Sequence, residues 1–541
     1  MKTLLIGINS KYIHPTLSIY QLAYNTTYPV TLKEFTIKDN VDKIVNYIIN
    51  EKPDLVGFSV YIWNINIVKE IIKYIRETNT MILLGGPEVS YNAEDYILNN
   101  EADFVINNEG EESFHLLLDA LNNNTPLYDV PNLVYKDEKI VETNTILPNL
   151  ENVKLATTNV LDYKNRIVYL ESSRGCPYRC SYCVASTSNK VRMFPLDNVL
   201  NILNTLMKER VKTVKFLDRT FNADPKYLIT ILDFIEENNI STTFQFEIVV
   251  DRLTKEMLDK IKNYKQSTLR FEIGIQSTND FVNKSIRRTQ NMEKVKENIL
   301  YLNSIPNLEL HVDLIAGLPY EDICSFRNSF NETFGLFSKE LQLGFLKFLK
   351  GTHLMTMIEE HEYIYDHNPP YEIIQNKYLS KDELGEIHKV EETLEKFYNS
   401  GIFKTFWSYF KNNQVIDYYQ FFLDLYNYLD SQNFSFLKYQ IIDLFISLNN
   451  FISNYFKDIY HILYEQLVID YYTFFKTKPK LWGIKTLTKE EKQTMYPYII
   501  NNISGYTVED LYRYALVFEL NNKLFVFIYQ DFKCQSFIIE K

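Results

Sequence analysis

Three cysteines fall in one short segment, Cys176-Pro-Tyr-Arg-Cys180-Ser-Tyr-Cys183. Thiolates are soft ligands that suit zinc and iron–sulfur clusters. A structural zinc site takes four closed ligands, whereas this segment offers three. A tight loop can present three sulfurs to three corners of a cuboidal 4Fe–4S cluster, and the missing fourth ligand leaves one iron open to a substrate. The alternatives are an incidental cysteine cluster or a three-cysteine zinc site completed by a distant histidine. With Cys 5 in 541 residues, a secreted disulfide framework is not expected, and clustered thiols favour metal binding. The lone Cys324 and Cys534 read as buried thiols.

Around this triplet the chain alternates strand and helix signals. Strands are expected at 167–172, 212–217, 242–248, 268–274, 308–315 and 343–349, with helices between them, for example 196–210 and 224–238. Six such units imply a partial or complete parallel barrel over 166–350, with its site at the carboxyl rim of the strands. The triplet sits directly after the first of these strands. An earlier set, 3–8, 30–35, 55–60, 81–86 and 102–107, implies a doubly wound parallel sheet over 1–125. Its best helix is 41–51, where Val41, Ile44, Val45, Ile48 and Ile49 share one face. Ligands bind such sheets at the carboxyl ends of the strands. Residues 126–165 read as a linker with a small hairpin. Beyond 351 the alternation stops, and 380–398, 415–430 and 436–470 read as helices rich in Tyr, Phe and Ile. A hairpin is expected at 515–530 around Asn521-Asn522. His353, His361 and His367 lack clean metal spacing and read as surface or rim residues.

The formal charge of −12 argues against a broad basic nucleic-acid surface. The start MKTLLIGINS reads as a strand rather than a signal peptide, and no uncharged apolar run reaches the roughly 18 residues of a membrane span. A cytoplasmic protein without a membrane partner is expected.

The triplet, with Tyr182 before its third cysteine, resembles the radical S-adenosylmethionine (SAM) superfamily. The resemblance implies a 4Fe–4S cluster on Cys176, Cys180 and Cys183, whose open iron is chelated by SAM. It also implies cleavage of SAM to a 5′-deoxyadenosyl radical. LDRTFN (217–222) ends the second barrel strand but lacks the family's Gly-Gly-Glu, which leaves Asp218 and Arg219 as positional candidates only. Glu247 on the third strand, with Glu272 and Gln276 in EIGIQS (272–277), falls where members use polar groups for the ribose and methionyl carboxylate. DLIAGLPYE (313–321) resembles the fifth-strand motif and implies backbone near Ile315 and Gly317 against the adenine.

The preceding sheet resembles the cobalamin-binding subfamily through NSKYIHP (9–15), SVYIWN (59–64), GGPEVS (85–90) and NNEGEESF (107–114). Ser59, Gly85, Gly86 and Ser90 are the implied cobalamin contacts, the glycines admitting a large ligand close to the backbone. His14 lacks the surrounding DxHxxG of a cobalt-ligating loop, so a loop or interface role is expected. The region after 351 resembles an uncharacterised module of bacterial members.

Together these imply a cobalamin-dependent methyltransferase acting on an unactivated carbon of a small molecule or peptide. A flavodoxin or ferredoxin would donate electrons, and nothing resembles an RNA-binding add-on. A radical rearrangement or cyclisation without methyl transfer, and a non-enzymatic corrinoid or cluster carrier, are the competing functions. A carrier has no need of the motifs at 272–277 and 313–321.

Overall fold

The computed structural model describes residues 1–157, 165–187, 190–239, 241–413, 416–475, 484, 486–531 and 533–540. Residues 158–164 of the expected linker and residue 415 of an expected helix lie outside them. The chain divides into two compact units, Met1–Leu384 and Gly385–Lys541.

In the first unit, β1 (Thr3–Asn9), β2 (Val30–Thr36), β3 (Leu55–Ser59), β4 (Met81–Gly85) and β5 (Phe104–Ile106) pair in parallel in the order 2-1-3-4-5. Every residue of β1 is buried, as a central strand covered on both faces requires. One core, built on Leu4, Ile6, Ile44, Ile48, Val68 and Ile72, fills one side of the sheet. Another, built on Leu5, Leu83, Phe114 and Leu117, fills the other. The helices Leu17–Tyr24 (α1), Val41–Glu51 (α2), Ile65–Ile75 (α3), Ala93–Leu98 (α4) and Glu111–Asn123 (α5) supply these layers. The expected helix 41–51 coincides with α2, which starts where the Asn40 side chain accepts the Asp42 amide. Strands run outward from β1 in both directions, so the switch point lies between β1 and β3, where a ligand edge belongs.

The small hairpin, β6 (Leu133–Lys136) and β7 (Ile140–Glu142), is not a free-standing linker feature. It pairs antiparallel onto β5 and extends the sheet to seven strands.

The second sheet joins β8 (Val168–Leu170), β11 (Thr213–Phe216), β12 (Thr243–Glu247), β13 (Leu269–Gln276), β14 (Leu308–Ala316) and β15 (Glu340–Phe345) in parallel, in that order. Between the first two lies a two-residue pair, β9 (Ser173–Arg174) with β10 (Arg192–Met193). Its helices α6 (Leu196–Lys208), α7 (Pro225–Asn238), α8 (Lys255–Asn263), α9 (Asp280–Ser285), α10 (Met292–Asn303) and α11 (Ile323–Phe334) intervene. Along β14 the side chains alternate. Leu310, Val312, Leu314 and Ala316 are fully buried, whereas Glu309, His311, Asp313 and Ile315 are only half-buried. The half-buried set faces the concave side, because Lys215 of β11 reaches over β12 to Glu272 of β13. A partial six-stranded barrel with a charged lumen results. After β15 a strap carrying β16 (Ile364–Tyr365) and β17 (Ile373–Gln375) returns to the barrel, where the Ile373 amide donates to the Leu346 carbonyl.

The second unit is mainly helical. The expected 436–470 helix is two, Ile441–Tyr455 and Tyr460–Phe474, broken by a tight turn at Lys457–Ile459. The hairpin at 515–530 gains a third strand, Lys533–Glu540. Asn521 and Asn522 both take positive φ (51° and 62°), the twist a two-residue hairpin turn needs. Among the described residues no helix is long and apolar enough to cross a membrane.

Candidate cluster and corrinoid site

The cysteine loop leaves the carboxyl end of β8, and Asp218 at the end of β11 holds its first residues. The Asp218 carboxylate accepts from the Ser172 amide (2.9 Å), the Ser172 hydroxyl (2.6 Å) and the Ser173 hydroxyl (2.5 Å). Burial pushes its pKa up to about 6 against those donors. Asp218 is therefore spent on the loop, and the exposed Arg219 beside it lies 3.7 Å from Glu247.

All three cysteines are free thiols, Cys180 buried and the other two half-buried. Burial pushes the Cys183 thiol up, opposed by Arg219 and reinforced by the neighbouring Cys180 and Cys176. The Cys176 sulfur lies 3.5 Å from the Thr220 hydroxyl. Arg288 Nη1 donates to the Cys180 sulfur at 3.8 Å, and its Nη2 donates to the Gly274 carbonyl. Arg288 has no carboxylate partner among the described residues, and its cationic form is held by Tyr182 and Cys180 despite burial. Burial likewise pushes the Tyr182 phenol up. The Ser181 hydroxyl oxygen is buried without a partner. Among the described residues no His, Cys, Asp or Glu side chains gather on one point as a single ion needs. A cuboidal cluster asks for something else, one thiolate at each of three irons. Three free thiols on one loop, one of them against a buried cation, suit a group that carries net negative charge when thiolate-bound.

In the lumen, Glu272 takes both carboxylate bonds from Lys215 (2.8 Å each) and one from Gln245 at 2.5 Å. Burial raises the Glu247 carboxyl. Gln276 sits at a break in the β13 register with φ 69°, and its Oε1 is buried without a partner. The side chain of Asp313, which sequence reasoning passed over, has no hydrogen-bond partner among the described residues. Burial, then Glu272 and Glu247, push its pKa up to about 8, so it is mostly a neutral donor at pH 7. Only its place in the DLIAGLPYE motif could have marked it. Ile315 is half-buried toward the same lumen. Gly317 is not. Its carbonyl accepts from the Tyr363 hydroxyl and the Asn376 amide at 3.1 Å each, and an added Cβ would lie 2.7 Å from Ile373. The strap occupies the backbone expected to lie against adenine.

At the carboxyl edge of the first sheet, Gly85 has room, since a Cβ would meet only the Ile106 carbonyl at 3.6 Å. Gly86 differs from the sequence reading. Its φ of 114° and a Cβ 2.5 Å from the Val60 carbonyl show that the protein's own backbone takes the space. The Ser90 hydroxyl closes that turn by donating to the Gly86 carbonyl (2.9 Å). The Ser59 hydroxyl meets Ser18 at 2.6 Å. Tyr61 and Trp63 stack at 4.4 Å, and Trp63 is 44% exposed. Asn107 Oδ1, just past β5, is buried without a partner. An exposed indole, an open glycine and an orphaned amide oxygen on one edge suit a large, partly apolar ligand such as a corrinoid.

The two sites adjoin. Arg174, two residues before Cys176, donates to Glu109 (2.8 Å), Glu111 (2.5 Å) and Glu171 (2.8 Å), and Arg192 also pairs with Glu109. His14 Nδ1 lies 2.8 Å from the Tyr169 hydroxyl on β8, with the rings stacked. Burial, then Lys215, keeps the imidazole pKa low. Glu88 of the GGPEVS loop is held by Lys350 (2.8 Å) and Tyr371.

Two further expectations need correction. Cys324, at the first turn of α11, is exposed and Cys534 only half-buried, rather than both buried. His361 is buried, 1% exposed, and packs among Tyr320, Tyr363 and Tyr378 rather than at the surface.

Residues 4–118 match the B12 binding domain family, residues 170–332 the Radical SAM superfamily and residues 359–515 a protein family of unknown function, DUF4080. An uncharacterized methyltransferase of Pyrococcus horikoshii is 26% identical over 45% of this chain and 57% of its own length. The cobalamin-dependent radical SAM methyltransferase TokK of Streptomyces tokunonensis is 23% identical over 57% of this chain and 47% of its own. The chain thus spans about half the length of these relatives. The cobalamin-dependent SAM radical enzyme OxsB, solved with aqua-cobalamin and SAM bound, aligns over 92% of this chain and 83% of its own, with TM-score 0.61 and 15% identity. The radical SAM methyltransferase TsrM of Kitasatospora setae, solved with cobalamin and a 4Fe–4S cluster, aligns over 66% and 75%, with TM-score 0.57 and 15% identity. At such identity the likeness is one of fold.

Proposed function

We propose that this chain, a radical SAM protein with a B12-binding domain before its barrel and a DUF4080 module after it, is a cobalamin-dependent methyltransferase acting on an unactivated carbon of a small molecule or peptide. The observation that carries this reading is the Arg174 junction, which ties the cysteine loop to the ligand edge of the corrinoid domain. Two cofactors that must act on one substrate carbon need that adjacency. When bound, the cluster and SAM supply a deoxyadenosyl radical, and the corrinoid supplies a methyl group. The protein's share is to bind, orient and exclude water.

Cys176, Cys180 and Cys183 would hold the cluster, with Tyr182 packed behind it. Arg288 is placed to pair with the methionyl carboxylate of SAM, which supplies the anion this buried guanidinium lacks. Gln276 Oε1 and the protonated Asp313 offer an acceptor and a donor for ribose hydroxyls. Glu247 and Glu272 line the same lumen, and Ile315 gives the adenine an apolar wall. On the other side Ser59 and Gly85 would meet the corrinoid directly, while Gly86 and Ser90 shape the turn that carries them. An oxygen-sensitive cluster suits the reducing cytoplasm.

Anaerobic reconstitution with iron, sulfide and hydroxocobalamin tests the reading. One 4Fe–4S cluster and one corrinoid per chain are expected, with deoxyadenosine formed on reduction in the presence of SAM. Deoxyadenosine without corrinoid uptake would remove methyl transfer.

The cobalt should receive no nitrogen from His14. A ligating histidine usually has its second nitrogen held by a carboxylate, carbonyl or water, and here Nδ1 is engaged by a phenol of the barrel. Pro15 also restricts the His14 backbone. Paramagnetic resonance of the cob(II)alamin state should lack nitrogen splitting from the protein, and His14→Ala should leave the spectrum unchanged. Splitting that vanishes in the variant would refute this assignment.

A further inference from the structure

Building on the radical SAM reading, we infer that the outer face of the cysteine loop is the docking site of an acidic one-electron carrier protein, recognised by Arg179, Arg252 and Arg287. Pro177 and Arg179 are exposed on the loop itself, between the first two cysteines. Arg252 is exposed on the turn after β12, near enough to Tyr178 of the loop to favour its ionised form. Arg287 is exposed on the turn after α9, whose Ile286 carbonyl accepts the Ser181 amide at 2.9 Å. Arg287 Nη2 also lies 2.5 Å from His353 Nε2. One guanidinium group thus comes from the loop itself and two from neighbouring turns.

None of the three is ion-paired among the described residues. Elsewhere in this unit Arg76, Arg166, Arg174, Arg192 and Arg270 all meet carboxylates. Lys284, exposed one turn before Arg287, adds to the positive charge. Asp251, next to Arg252 in the chain, is half-buried and accepts the Asn291 amide. Exposed, unpaired arginines are available to a partner's carboxylates.

This local sign is opposite to that of the chain, which carries −12 overall. An acidic carrier is repelled by the molecule as a whole and attracted at this patch. At physiological ionic strength charges are screened over about 8 Å, so at contact the patch outweighs the remote negative charge. Docking is thereby favoured beside the loop that carries the thiols. One electron passes from the reduced carrier to the cluster. The carrier is oxidised by one electron, and no bond or proton is exchanged.

The test compares two reductants on the reconstituted full chain, with deoxyadenosine formation as readout. Reduced flavodoxin is the protein probe, and dithionite is the small reductant that needs no docking. In the Arg179→Glu/Arg287→Glu double variant, the flavodoxin concentration for half-maximal rate should rise about tenfold or more, because rim charges act mainly through association. The dithionite-driven rate and the iron content should match wild type. Arg252→Gln, a gentler change, should give a rise of about threefold. Added salt should suppress the flavodoxin rate of wild type and spare the dithionite rate. An unchanged flavodoxin dependence in the double variant overturns the docking site. An equal loss with both reductants also overturns it, by placing the arginines in SAM or cluster binding. If wild type forms no deoxyadenosine with dithionite, the radical SAM reading itself fails, and the docking site with it.

Discussion

Alanine at any one of Cys176, Cys180 and Cys183 is expected to abolish both the 4Fe–4S cluster and SAM cleavage. The fall should be on the order of 10³-fold or more, and each single variant should match the triple. Groups that act only as a unit lose nearly everything with the first member. Three thiolates at three irons leave no ligand to spare, and no His, Asp or Glu joins them among the described residues. Iron and sulfide analysis after anaerobic purification, with deoxyadenosine quantified, checks this. Cys324→Ala and Cys534→Ala should retain full cluster content. Normal cleavage in the triple variant would end the radical SAM reading.

Arg174→Met is expected to cost about 3 kcal/mol at the junction of the first sheet and the barrel. The Arg174 side chain is 12% exposed and faces Glu109, Glu111 and Glu171, themselves 6–21% exposed. Burial opposes its charge, but Glu171, Glu111 and Glu109 together raise the guanidinium pKa well above its ordinary value. Removing it leaves mutually repelling, largely buried carboxylates, and breaking a buried pair in this way costs about 3–5 kcal/mol. Two-state unfolding is a poor readout for a chain of several domains. Hydrogen exchange is better suited, and protection of amides in 104–113 and 168–176 should fall about 100-fold, which corresponds to about 3 kcal/mol. Arg174→Lys keeps the charge but loses the fork that serves several carboxylates, so it should recover only part. Unchanged protection in Arg174→Met would show that the two sheets are held together by other contacts, such as Arg166 with Glu34 (2.6 Å) and Lys350 with Glu88.

Much of the architecture was legible because periodicity is local. The strands of both parallel sheets fall close to their expected places, and α2 spans the expected 41–51, burying Ile44, Val45 and Ile48 while Ile49 of the expected apolar face is exposed. The 436–470 stretch was misjudged as one helix because its apolar residues continue across the break at Lys457–Ile459. Nothing there, neither Gly nor Pro, announces the turn. Pairing partners are less visible still. Nothing in Leu133–Glu142 says that the hairpin will extend the first sheet, since strand pairing depends on which edge is left open.

The site divides along the same line. Residue type and spacing within one loop mark Cys176, Cys180 and Cys183 as candidate cluster ligands, because that chemistry needs only neighbouring thiols. Order along the chain placed Glu247 on β12 and Glu272 and Gln276 on β13, where Glu247 and Gln276 end their strands and Glu272 lies mid-strand. Only the tertiary structure brought Arg288 to Cys180 from more than a hundred residues away, left the Asp313 side chain without a hydrogen-bond partner among the described residues, its pKa raised by burial, and spent Asp218 on the loop. Only it showed that Gly86 is filled by Val60, that the strap takes the Gly317 carbonyl, and that Glu109 and Glu111 face Arg174. The physical reason is that ligation by adjacent thiols is a local property of the chain. Burial, ion pairing and the room left at a glycine are set by whichever distant segment happens to pack there.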